Sequence, residues 1–198
     1  MLFRSSCTLL GQEITLLEVM AFVAGIAGVW LTVKKSIYNF PVGLINVSLY
    51  CWLFLQDHVS LYADALLQMI YAFLLVFGWL KWKKNHEDKD LAIKTTSLKE
   101  WKIIFIITLT GWLFLGSLLS SMTTASLPWL DAGLTTISLV AQWMIAKKKI
   151  ENWLLWIIAD AVYIPVYLYK QLPLTALLYF LFLLMAYSGW KSWRQSIQ

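Results

Sequence analysis

The sequence predicts an all-α integral membrane protein: seven transmembrane helices in a 3+1+3 order, two parallel repeats of a three-helix bundle joined by a linker helix. Three observations predict it. Hydrophobic residues make up 60% of the 198 and charged residues 14%, against roughly 25% charged in a soluble domain. Seven stretches are each mostly apolar over about 20 residues, the length that crosses a hydrocarbon core. The chain also matches itself when slid by 113 residues. A soluble chain of this size could not hide so much apolar surface, whereas lipid does not require it hidden.

The spans run Ile14–Val33, Ile37–Gln56, Leu61–Trp82, Trp101–Leu119, Leu127–Ala146, Asn152–Tyr169 and Leu172–Trp193. Before the first lies a short tail with Arg4, Cys7 and Gln12. It reads as a tail and not a cleavable leader, because no small-residue cleavage site follows an apolar stretch there. Pro41 in the second span and Pro165 in the sixth predict kinks. Between the third and fourth spans, KKNHEDKDLAIKTTSLKEWK reads as a solvated loop. The domain reading is therefore 14–82 for the first three-helix repeat, 83–126 for the loop and inverting linker helix, and 127–193 for the second repeat. The 12 Trp residues fit many membrane crossings, since Trp and Tyr favour the headgroup zone.

Charge sets the orientation. Fourteen of the 16 Lys and Arg follow the first, third, fifth and seventh spans, leaving Arg4 and Lys170 opposite. Such a bias places the C-terminus in the cytoplasm and the N-terminus outside. The net charge of +5 is thus a topology signal and not a nucleic-acid signal. Cys7 and Cys51 lie in the tail and in a span, so no disulfide is expected. His58 and His86 sit unaccompanied in loops and read as surface residues.

The repeat is specific. At an offset of 113, Glu18 meets Asp131, Trp30 meets Trp143, Lys34-Lys35 meets Lys147-Lys148, Asn39 meets Asn152 and Tyr50 meets Tyr163. At 111, Leu61 meets Leu172, Ala65-Leu66-Leu67 meets Ala176-Leu177-Leu178, Gly78-Trp79 meets Gly189-Trp190 and Trp82 meets Trp193. Three spans reverse the chain and a fourth restores it, so the halves run parallel. Parallel repeats occur among transporters such as the SWEET family, with substrate held near mid-membrane between the halves.

Polar groups inside spans need a partner or a purpose. Asn46 and Asp160 lie near the midpoints of the second and sixth spans and correspond with a one-residue slip. Trp153, Trp156 and Asp160 share one helix face, with Tyr163 close to it. Tyr50, Gln68, Gln142, Trp143 and Asn152 add rings and amides. Aromatic faces stack on a flat, cationic heterocycle, and amides with a carboxylate bind sugar hydroxyls. Bland readings stand beside these: Asn46, Gln68 and Gln142 could link helices, and a Trp in a span is commonly an anchor. Glu18, Asp64 and Asp131 read as interfacial. The sequence has no phosphate-cradling glycine loop, no metal-ligand cluster, no Ser–His–Asp set at one depth and no gating-arginine helix. No cofactor, metal or catalytic residue is expected, nor is an enzyme.

The segments FPVGLINVSLY, LYADALLQMIY, LVAQWMIAKKKIENWLLWIIADAVYIPVYLYK and LTALLYFLFLLMAYSGWKSW resemble the bacterial PnuC family of vitamin transporters, over about Leu17 to Trp193. Many relatives carry Trp where this chain has Phe40. The resemblance implies a SWEET-like homotrimer in the inner membrane that carries nicotinamide riboside by facilitated diffusion, for NAD biosynthesis. It implies net uptake through a cytoplasmic nicotinamide riboside kinase that traps the product. Relatives carry thiamine or riboflavin, which is the alternative. Carried onto this chain, Trp153 and Trp156 would enclose the pyridinium. Asn46, Gln68, Gln142, Asn152 and Asp160 would read ribose and carboxamide, and Tyr50 and Tyr163 would line the path.

Overall fold

The computed structural model describes residues 6–9, 12–56, 62–87, 92–122, 127–169 and 173–197. Arg4, His58, Lys89, Lys170 and the Leu61/Leu172 pair lie outside the described residues.

Seven helices follow a short hairpin. Strands β1 (Ser6–Leu9) and β2 (Gln12–Thr15) pair antiparallel, with Ser6 opposite Thr15, where the sequence reading had only a tail. The helices are α1 Leu16–Val33, α2 Asn39–Phe54, α3 Tyr62–Glu87, α4 Leu98–Met122, α5 Pro128–Ala146, α6 Asn152–Tyr169 and α7 Pro173–Arg194. Four segments, Leu16–Val33, Asp64–Lys84, Leu98–Met122 and Asn152–Tyr169, are long and apolar enough to cross a membrane; α2 is apolar but has 16 residues. At 1.5 Å per residue α2 spans about 24 Å, a little short of the core thickness. Ile103, Phe105, Ile106, Ile107 and Phe114 of α4 are all more than half exposed. Such surface is unfavourable in water and suits acyl chains.

The chain forms two compact units, Met1–Leu91 and Ala92–Gln198. The linker helix α4 therefore groups with the second unit. In the first unit α2 packs on both α1 and α3; in the second α6 packs on both α5 and α7, and α4 packs on α5.

Inside each unit the same local contacts recur. Lys35 (φ 59°) and Lys148 (φ 49°) both take the left-handed conformation that ends the preceding helix. Asn39 and Asn152 open the next helix, each donating from Nδ2 at 2.6 Å, to the Ser36 and Lys149 carbonyls. Phe40 meets Trp82 edge-on at 5.0 Å and 87°, and Trp153 meets Trp193 edge-on at 5.5 Å and 89°. Tyr50 stacks on Phe54 at 5.8 Å, and Tyr163 on Tyr167 at 5.7 Å. The Lys34 ammonium lies 4.9 Å from the Trp30 ring, and that of Lys147 lies 4.0 Å from the Trp143 ring. Every pair obeys the offset of 113, or 111 on the third helix of each half. These are the contacts of a duplicated three-helix motif, kept where residue types match and where they drift.

The polar segment before α4 is not simply solvated. Lys94 bridges in parallel to Lys149, its N–H donating to the Lys148 carbonyl while its own carbonyl accepts from the Ile150 N–H. Ile93 is buried. The sequence reading missed this because lysine-rich composition signals exposure, whereas the tie is mostly main-chain.

Candidate functional site

In the second unit, α6 buries an amide, an indole and a carboxyl. Asn152, Trp153 and Asp160 have relative exposures of 0%, 1% and 1%. Trp156, between them on the same face, is half-buried. Their spacing of three, four and seven residues puts them along one stripe. Among the described residues, four buried side-chain polar atoms have no hydrogen-bond partner: Asn152 Oδ1, Trp153 Nε1, Asp160 Oδ1 and, on α5, Ser138 Oγ. A buried polar atom without a partner typically costs about 1–3 kcal/mol, so each of these calls for a water, an ion or a ligand to meet it. Asn152 and Asp160 stand eight residues apart, about 12 Å along the axis. That length suits an elongated polar ligand better than a single ion.

The remaining sequence-predicted residues fall into three groups. Gln142 is buried on α5, one helical turn from Ser138. Trp143 turns elsewhere: with Trp101 and Leu155 it packs on the Ile104, Val140 and Met144 cluster, toward α4. Tyr163 joins an aromatic group that bridges α6 and α7. Its ring lies 4.5 Å from Tyr179, and Tyr167 stacks on Tyr179 at 5.1 Å and 16°. In the first unit, the Asn46 amide donates to the Ala21 carbonyl of α1 at 2.7 Å, so it links two helices. Tyr50 is half-buried against Phe54. Gln68 borders a cleft of about 270 Å³ between α2 and α3, beside Ser48 and Cys51.

Trp153 packs the core: its ring fills the space over Gly189, where a Cβ would stand 2.5 Å away. It is the counterpart of Phe40. One feature corrects the sequence reading: the slip that set Asn46 against Asp160 fails, because the contacts on either side hold the offset at 113. Asp160 stands at the position of Val47, which is 7% exposed, and Asn46 at that of Ala159, fully buried. One half thus carries a valine at its buried mid-helix position, and the other a carboxyl.

Sequence reasoning missed Ser138, Tyr167 and Tyr179. Ser138 could have been found four residues before Gln142, and Tyr167 four after Tyr163. Tyr179 could not, since its partners lie on another helix.

Comparison with known proteins agrees with this architecture. The family described as nicotinamide mononucleotide transporter matches residues 15–195. The nicotinamide riboside transporter PnuC of Escherichia coli is 23% identical, over 94% of this chain and 88% of its own length. The protein of the same name from Neisseria mucosa is 26% identical, over 90% and 73%. The crystal structure of a vitamin B3 transporter PnuC superposes with a TM-score of 0.71 at 25% identity, covering 90% of this chain and 80% of that one. The chain is a multi-pass membrane transporter and belongs to the nicotinamide mononucleotide transporter family, alongside the PnuC proteins.

Proposed function

We propose that this protein carries nicotinamide riboside into the cell by facilitated diffusion, with a cytoplasmic kinase trapping the product. The observation that carries the reading is the α6 stripe. Asp160, buried with a partnerless oxygen, lies one turn from the Trp156 indole on a membrane-crossing helix. A carboxylate beside a ring offsets the desolvation of a cationic pyridinium. Asn152 presents a buried amide oxygen about 12 Å away, within reach of the far end of a ribosylated ring. Gln142 and Ser138 lie one turn apart on α5, the helix that packs on α6. An outward N-terminus, a cytoplasmic lysine-rich side and a homotrimer complete the reading.

The support is the stripe together with relatives that bear the name of nicotinamide riboside transporters. A second reading has its own support: a protein from Streptomyces davaonensis, called a riboflavin/roseoflavin transporter, is 20% identical over 93% of this chain. Thiamine is a third cationic aromatic vitamin. Competition binding by nicotinamide riboside, thiamine and riboflavin to purified protein separates them. Trp156→Ala and Asp160→Ala are expected each to weaken nicotinamide riboside binding at least tenfold. Unchanged affinity in both variants would sink the site assignment.

A further inference from the structure

We propose that residues Lys94–Glu100 form a latch that ties the linker helix α4 to the start of α6, so that the two move together during transport. The latch is a set of mutually supporting bonds around the α5–α6 turn. Glu100, in the first turn of α4, pairs with the Lys149 ammonium at 2.8 Å, and Lys149 also donates to the Thr95 carbonyl at 3.1 Å. The Lys149 side chain is 11% exposed and that of Glu100 34%. The Glu151 carboxylate accepts from the Thr96 N–H at 2.9 Å and from its hydroxyl at 2.7 Å. The main-chain bonds from Lys94 to Lys148 and Ile150 run beside them. Ser97 closes the assembly, its N–H and hydroxyl donating to Glu100 at 2.8 and 3.0 Å.

The duplicated architecture provides the control. The α1–α2 turn has the same left-handed lysine, the same asparagine bond and the same cation–π contact. The sequences depart at the positions the latch uses: Lys149 and Glu151 stand where the first half has Ser36 and Tyr38. The turn therefore folds without these charges. They are an addition to the half whose first helix-to-helix join leads into the Asn152–Asp160 stripe. Three charged side chains and six main-chain groups, partly screened from water, resist shear better than one exposed pair would. They connect a helix that carries no candidate binding residue to the one that carries more of them than any other.

The inference rests on the transporter reading but not on the stripe. The test is initial transport rate set against equilibrium affinity, both for nicotinamide riboside, with the full chain in proteoliposomes and in detergent. Glu100→Lys and Lys149→Glu singly are expected to slow transport at least fivefold while affinity stays within twofold. The swap carrying both changes should recover at least half the rate. If a reversal fails to accumulate, Glu100→Gln and Lys149→Gln read the same quantity. Variants that transport at the unaltered rate overturn the latch, and so does a loss of affinity in step with rate. A swap that stays as slow as the single variants overturns it too. Absence of binding and transport by the unaltered chain would instead sink the substrate reading.

Discussion

Asp160 concentrates the functional question into one side chain. Its counterpart Val47 shows that the position tolerates an apolar residue in this packing environment. Asp160→Val therefore removes a partnerless buried oxygen without introducing a foreign shape. The melting midpoint in detergent is expected to hold or rise, because an unmet polar group typically costs about 1–3 kcal/mol. Nicotinamide riboside affinity should meanwhile fall at least tenfold, about 1.4 kcal/mol. A drop in both quantities would mean that the carboxyl holds the fold. Asn46 makes the opposite case. Its bond to the Ala21 carbonyl links α1 and α2, and a membrane hydrogen bond of this kind is worth about 0.6 kcal/mol on average. Asn46→Leu should lower the midpoint slightly, and a separate loss of affinity would show that it also meets substrate.

At the scale of the element, apolar length told most of the story. The sequence placed α2, α5, α6 and α7 to within two residues or so, because a span must match the hydrocarbon. It stopped α3 at Trp82 and started α4 at Trp101, whereas the helices continue to Glu87 and begin at Leu98. Polar turns outside the membrane leave no hydropathy signal. The left-handed lysines were equally hidden, since glycine and asparagine are the residues that announce such turns. The core packing of Trp153 was hidden for a different reason: an indole that stacks on a ligand and one that packs a core look alike in a sequence. Its packing gives a direct test. Gly189→Ala would set a Cβ 2.5 Å from the Trp153 ring and force α6 and α7 apart. Overpacking of this kind costs about 1–3 kcal/mol, and the melting midpoint should fall accordingly. A neutral result would mean that α7 can slide to make room.

At the scale of the molecule, the two units meet in sequence between Leu91 and Ala92. Each holds its own helix–helix contacts, and in a bilayer individual spans persist before they associate. The chain after Ala92 is already tied to the second unit through Lys94, Thr95 and Thr96. Lys94, Lys99 and Lys102 would hold the new end of a second fragment on the lysine-rich side during insertion. Met1–Leu91 and Ala92–Gln198, expressed together as separate chains, should therefore each accumulate in the membrane and resist proteolysis. Together they should bind nicotinamide riboside within threefold of the intact protein. Moving the cut to follow Thr96 leaves every residue present but strands Lys94 to Thr96 on the first fragment. That pair should bind comparably and transport several-fold more slowly, as loss of the tie between α4 and α6 requires. If cutting after Leu91 abolished accumulation of either fragment, the duplicated bundles could not be treated as separately formed parts.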